Sequence, residues 1–244
     1  MTARHRRDVP GRRELNRRRP ARIRWPYAGP VTYDHLLLPS GAASTLAEAD
    51  AYLSTQQGLT ETDVVAAMAA ELNKRNAQLP EDDHFLSVEA VGGAATGAVL
   101  HVPCPYDAIG YLRNLLFEIA TPLHYAVYDP QLALLIDPAE RVDATVTHGG
   151  LGEFPYLTKP LAIQWVSELA PPNPYLIVER TDQVYIQTYH DESGNYIVEY
   201  RDGAPDKHFG TTITGPTAVA DLVWEWATDN RTQLQTLPWT RVEL

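Results

Sequence analysis

Residues 175–214 read YLIVERTDQVYIQTYHDESGNYIVEYRDGAPDKHFGTTIT. Four stretches within it, YLIVER (175–180), VYIQTYH (184–190), NYIVEYR (195–201) and HFGTTIT (208–214), are dense in β-branched and aromatic residues, which fit a pleated and half-buried surface. The pieces between them, TDQ, DESG and DGAPDK, carry Asp, Gly and Pro, the residues that turns require for conformational reasons. Short turns between strands predict an antiparallel meander. Pro216 then stands where a first helical turn tolerates it. Ala218, Val219, Leu222, Val223 and Trp226 follow at helical spacing, so a helix is expected to cover the sheet. The closing TRVEL is expected to add an edge strand.

Side chains alternate between the two faces of a strand. Tyr185 and Tyr189 therefore share one face of their strand, and Tyr196 and Tyr200 share one face of the next. With the register aligned, these tyrosines make an aromatic stripe flanked by Glu199, Arg201 and His208. Val184, Ile186 and Ile197 are then expected to turn the other way, beneath the helix. Exposed, such a stripe is a protein-binding surface of the kind rich in hot spots. Buried, the same residues only stabilise the sheet, by up to ~1 kcal/mol per cross-strand aromatic pair. Both readings stand at this stage.

Upstream the pattern mixes helices and strands. Thr32–Leu38 reads as a buried strand ended by Pro39 and Gly41. Thr45 with Glu48, and Thr60 with Asp63, have capping-box spacing and predict two helices, the second running to about Asn76. Phe85–Val91 and Ala98–Val102 read as strands joined by GGAATG (92–97). Ile109, Leu112, Leu116 and Ile119 predict an amphipathic helix over 107–120. His124–Tyr128 and Leu132–Ile136 read as a hairpin around Asp129-Pro130-Gln131. Residues 138–158 look irregular, and a short helix over 159–169 leads to PPNP (171–174). The expectation is an α+β fold in two parts. A mixed α/β layer domain spans 31–138, a linker 139–158, and an antiparallel sheet covered by a helix 159–244.

Charge is divided sharply along the chain. Of 20 basic and 31 acidic residues, ten arginines and two acids fall within residues 1–24, giving +8. The remaining 10 basic and 29 acidic residues give −19. A body this acidic disfavours nucleic acid and suits a basic protein partner. Composition predicts a disordered arm, although its arginines could track phosphates. Residues 1–30 are thus expected to be either a disordered Arg-rich arm or an over-extended gene start, with Val31 as the initiator. No apolar run approaches the ~18 residues of a membrane span, and no apolar segment of an export signal follows the arginines. Cys104 is the only cysteine, so no disulfide framework exists. These features predict a cytoplasmic protein.

Candidate chemistry is sparse. GGAATG lacks both the GxGxxG spacing before a helix and the lysine of a phosphate-binding loop, and reads as a turn. HGGLG (148–152) looks like an esterase oxyanion loop, but no GxSxG nucleophile elbow exists for it to serve. His101 and Cys104 supply too few ligands for zinc. A thiol nucleophile at Cys104, helped by His101, His124 or His148, needs those groups to meet in space. The acidic clusters at 81–84, 191–192 and 202–206 lie at expected turns. No catalytic residue, metal or cofactor is assigned on these grounds.

The segment from Pro174 onward, with YIVEYRDG (196–203), HF (208–209), VWEWA (223–227) and LPWTRVEL (237–244), resembles the immunity-protein-like families of bacterial polymorphic toxin systems. The resemblance implies a small, non-catalytic α+β protein that binds and blocks a cognate toxin. The expectation is therefore a cytoplasmic binding protein whose partner is a protein, with a basic toxin domain the natural candidate. Its contact residues would be Tyr185, Tyr189, Tyr196, Glu199, Tyr200, Arg201 and His208. The alternatives are an enzyme with an inter-domain site around Cys104, His148 and His208, or nucleic-acid binding through the N-terminal arm.

Overall fold

Two antiparallel sheets carry the fold, which is of the α+β class. The computed structural model describes residues 32–243, and the expectations about residues 1–30 lie outside them. The smaller sheet has four strands, β1 (Tyr33–Pro39), β2 (Leu100–Cys104), β3 (Tyr125–Asp129) and β4 (Leu134–Ile136), in the order β2-β1-β3-β4. β1 is buried nearly throughout because the sheet is covered on both sides. Its Leu36 and Leu38 share a face with Ala126 and Tyr128, while Tyr33, His35 and Leu37 face the main core.

Helices α1 (Leu46–Gln56), α2 (Asp63–Ala77) and α3 (Ile109–Ala120) belong to this layer. Thr45 caps α1 by accepting from the Glu48 backbone N–H, and the Glu48 carboxylate accepts in turn from the Ser44 N–H. The cap of α2 is Thr62, two residues beyond the expected Thr60, and it accepts from the Val65 N–H. Each cap satisfies a donor that the first helical turn leaves unpaired.

The expected strand over 85–91 does not form. Side-chain amides of α2 take the place of a partner strand. Asn76 Oδ1 accepts from the N–H groups of Phe85 and Leu86, and Asn73 bonds both the N–H and the C=O of Val91. The apolar residues of the segment are thereby buried without a ladder. Just beyond, Gly92 has φ +85° and lies so close to α2 that a Cβ would stand 2.6 Å from the Ala69 Cβ. Only glycine meets both demands.

Residues 138–158, expected to be irregular, contain a hairpin. β5 (Val142–His148) and β6 (Gly152–Leu157) pair around HGGLG and join the larger sheet through β7 (Tyr175–Thr181). Their inward residues include the small Ala144, and their glycines and Pro155 imitate a loop, so composition hid the alternation. Gly149 is where the turn meets its neighbour: a Cβ there would lie 2.2 Å from the Asn173 carbonyl oxygen.

The rest of the chain follows the meander. β8 (Val184–His190), β9 (Asn195–Asp202), β10 (His208–Thr214) and the two-residue β11 (Thr240–Arg241) complete a seven-stranded sheet in the order β11-β10-β9-β8-β7-β5-β6. Helices α4 (Lys159–Glu168) and α5 (Pro216–Ala227) pack on each other, and α5 packs on β7–β10.

One apolar cluster runs through both sheets rather than forming one core for each expected domain. It passes from Leu37, Val102 and Val127 through Leu112, Leu116 and Phe117 of α3. It then reaches Phe154, Trp165, Val178, Val198 and Trp226. At the junction the Phe154 ring lies 4.6 Å from that of Trp165 and 6.1 Å from that of Phe117. Trp165 is wholly buried. Its replacement in Trp165→Ala is expected to cost about 3–5 kcal/mol. Urea denaturation should show one transition at lower midpoint, with amides of both sheets losing protection together. Separate transitions for the two sheets would refute the shared core.

Candidate functional site

The register of β8 and β9 decides which side chains share the open face. Tyr185 pairs with Arg201, Gln187 with Glu199, and Tyr189 with Ile197. Tyr196 pairs with His190, and Tyr200 with Ile186. The connecting turn sets this parity. Asp191 Oδ1 accepts from the N–H groups of Ser193 and Asn195, and the Asp191 N–H donates to the Asn195 carbonyl.

The expected stripe of four tyrosines is therefore split between the two faces. Tyr185 and Tyr189 point outward with Glu199 and Arg201, and His208 belongs to the same side by register but is itself buried. Tyr196 and Tyr200 point inward. Tyr196 is buried, stacks on His190 at 4.5 Å and donates its hydroxyl to the Val166 carbonyl. Tyr200 packs between Phe209 and Trp239. Ile197, expected beneath the helix, is instead outward and 39% exposed. Alternation along each strand was legible, but a pairing one residue out of step reverses a whole face.

The outward face repeats across the strands as rows. Tyr175, Tyr189, Ile197 and Thr212 form one row, and Thr147, Ile177, Gln187, Glu199 and Gly210 the next. Thr145, Glu179, Tyr185, Arg201 and His208 form a third. A groove of about 320 Å³ lies along the first two rows. Tyr189, 45% exposed, and Ile197 give it an apolar wall. Glu199 Oε2 accepts from Gln187 Nε2 at 2.8 Å and lies 3.1 Å from His208 Nε2. Glu153, Glu179 and Glu199 all belong to this face of the sheet, against Arg201.

The residues of the enzymatic alternative are not brought together. His148 points inward beside the Trp165 ring, and its Nδ1 accepts from the Gly150 N–H. His208 points outward, four strands away and so about 19 Å distant at the usual strand spacing. Cys104 lies in the smaller sheet with no solvent exposure, and burial pushes its thiol up to about 12. His101 occupies the opposite face of that sheet, 3.0 Å from Asp34 Oδ1. HGGLG is the β5–β6 turn. Among the described residues, no group of three or more His, Cys, Asp or Glu is arranged to hold a metal ion.

A second polar constellation went unnoticed in the sequence. Tyr33 donates its hydroxyl to Asp129 Oδ2 at 2.5 Å, and His35 Nε2 lies 4.0 Å from the same oxygen. Asp129 Oδ1 also accepts from the N–H groups of Gln131 and Leu132, closing the β3–β4 turn. Arg113 donates to the Leu151 carbonyl and lies over the Phe154 ring. The signal was available as polar residues 33 and 35 on the core face of a buried strand. All four side chains are buried, so the cluster holds the interior rather than receiving a substrate. Burial raises the Tyr33 phenol and lowers His35 to about 4.

No family model, curated protein or solved structure matches this chain. The geometry of the open face therefore carries the functional argument.

Two measurements check these assignments. Histidine in the unfolded chain takes up a proton near pH 6.5, whereas buried His35 does so only near pH 4. In that window the unfolded state binds the extra proton. Stability should thus fall as the pH is lowered from about 6.5 towards 4, by up to about 1.4 kcal/mol per unit from this group, levelling below about pH 4. His35→Leu should flatten that part of the denaturation profile relative to wild type. Cys104 should resist a thiol-reactive chromophore at pH 8 until denaturant is added. Prompt labelling of the folded chain would contradict the burial.

Proposed function

We propose that this is a non-enzymatic, cytoplasmic binding protein that neutralises a cognate toxin by laying the open face of its larger sheet over the toxin's site. The observation that carries the reading is the exposed Tyr189–Ile197 pair, on the face opposite the one that α5 covers. An apolar centre with a polar and charged margin is the usual anatomy of a protein interface. Six strands of six to eight residues, to which β11 adds only two, span roughly 29 Å by 23 Å, somewhat under the ~800 Å² per partner of a standard interface. The excess of carboxylates favours a basic partner and speeds its approach. The likeness of residues 174–244 to immunity-protein-like families points in the same direction. Among the described residues no helix is long and apolar enough to cross a membrane.

The reading is tested with the product of the adjacent gene, co-expressed and co-purified with the full chain. A 1:1 complex is expected. Ile197→Asp should weaken it by at least 2 kcal/mol, about 30-fold, while leaving the circular dichroism spectrum unchanged. A complex indifferent to this substitution would move the interface elsewhere.

A further inference from the structure

We propose that the groove on the open face is a receptor for a single lysine or arginine side chain presented by the partner. The inference rests on the reading of this face as the docking surface, and adds the chemistry of the residue at its centre.

Three features of the groove select that occupant. Its first wall is apolar: Tyr189 and Ile197 stand side by side on neighbouring strands, with Tyr175 beyond Tyr189 and Ile177 in the adjacent row. Its end is a carboxylate, Glu199, two residues along β9 from Ile197 and hence roughly 7 Å away. An apolar wall ending in an anion matches a side chain with an apolar stem and a cationic head. The carboxylate is also held in place. Gln187 and His208 both engage its Oε2, while Oε1 has no hydrogen-bond partner among the described residues. Orientation by neighbours before binding lowers the ordering cost of binding.

Competing occupants fit less well. An uncharged apolar side chain would cover the wall and strip water from Glu199 without replacing it, which carries a desolvation penalty. An acidic side chain would meet Glu199 directly, with Glu179 and Glu153 on the same face. Arg201 belongs to the row beyond Glu199, with Tyr185 and His208, and does not line the groove. At about 320 Å³ the groove lies near the lower end of the ~300–1,000 Å³ range of small-ligand sites. That volume takes one long side chain rather than a folded element.

The probe is a set of end-capped peptides, Gly-Ser-Leu-X-Leu-Ser-Gly, with X as arginine, lysine, citrulline or glutamate. They are titrated into the isotope-labelled full-length chain at 150 mM salt and followed by amide and side-chain shifts. The arginine and lysine peptides should perturb Ile177, Gln187, Tyr189, Ile197 and Glu199. They should reach half-saturation at least tenfold below the citrulline peptide, with the glutamate peptide weakest. Glu199→Gln should abolish the preference for the cation, whereas Tyr189→Ala should weaken all four peptides alike. Equal binding of arginine and citrulline peptides, a preference that survives Glu199→Gln, or shifts confined to the acidic turns would overturn the proposal. In the complex with the adjacent gene product, Glu199→Gln should weaken binding at least tenfold. Loss with Ile197→Asp but not with Glu199→Gln overturns the cation receptor and leaves the docking face standing. Indifference to both overturns the docking face and the receptor together.

Discussion

The larger sheet is covered by α5 on one side only, and that asymmetry binds every residue of β7 to β10 to a side. Val178, Ile186, Val198 and Trp226 need one another, so the pairing that brings them together also determines what faces outward. A slip of one residue would bury Tyr189 and Glu199 and expose Val198 and Tyr196. The hydrophobic contact beneath the sheet is thus the constraint that composes the surface above it. The Asp191 turn assists by admitting one register in its hairpin.

The same economy joins the two sheets. α3 belongs by connectivity to the smaller sheet, yet its Phe117 packs on Phe154 of the larger one. Arg113 of the same helix reaches the β5–β6 turn through the Leu151 carbonyl. Near this apolar junction lies the buried Tyr33–Asp129 bond. Most buried polar groups are partnered, although neither ring nitrogen of the buried His35 beside this bond has a hydrogen bond. Asp129 is itself partnered and closes the β3–β4 turn with its other oxygen, so one carboxylate serves both the core and a surface corner.

Much of the fold was legible because it is local. The meander, the helix opening at Pro216 and the Thr45 cap each depend on neighbours a few residues apart. What escaped depends on distant partners. Nothing near Phe85 or Val91 announces that Asn76 and Asn73 will hold their backbone groups, since those amides lie within another element. The β5–β6 hairpin escaped because its Gly149 answers to packing against Asn173 rather than to flexibility. Five of the seven expected contact residues share the outward side of the sheet, although His208 is buried there. Tyr196 and Tyr200 do not, because alternation tells which residues travel together but not which way they point.

The sheet ends in ways that separate recognition from aggregation. One terminal strand, β6, contains Pro155, and the other, β11, is two residues long. A proline offers no backbone donor to an incoming strand, and a two-residue edge offers hardly any ladder to extend. The β6 rim is therefore a poor template for another chain, but β11 covers β10 only at Phe209 and Gly210 and leaves Thr211 to Thr214 without a strand on that side among the described residues. Association at that rim would pair backbone with backbone regardless of sequence, whereas on the broad face side chains discriminate between partners.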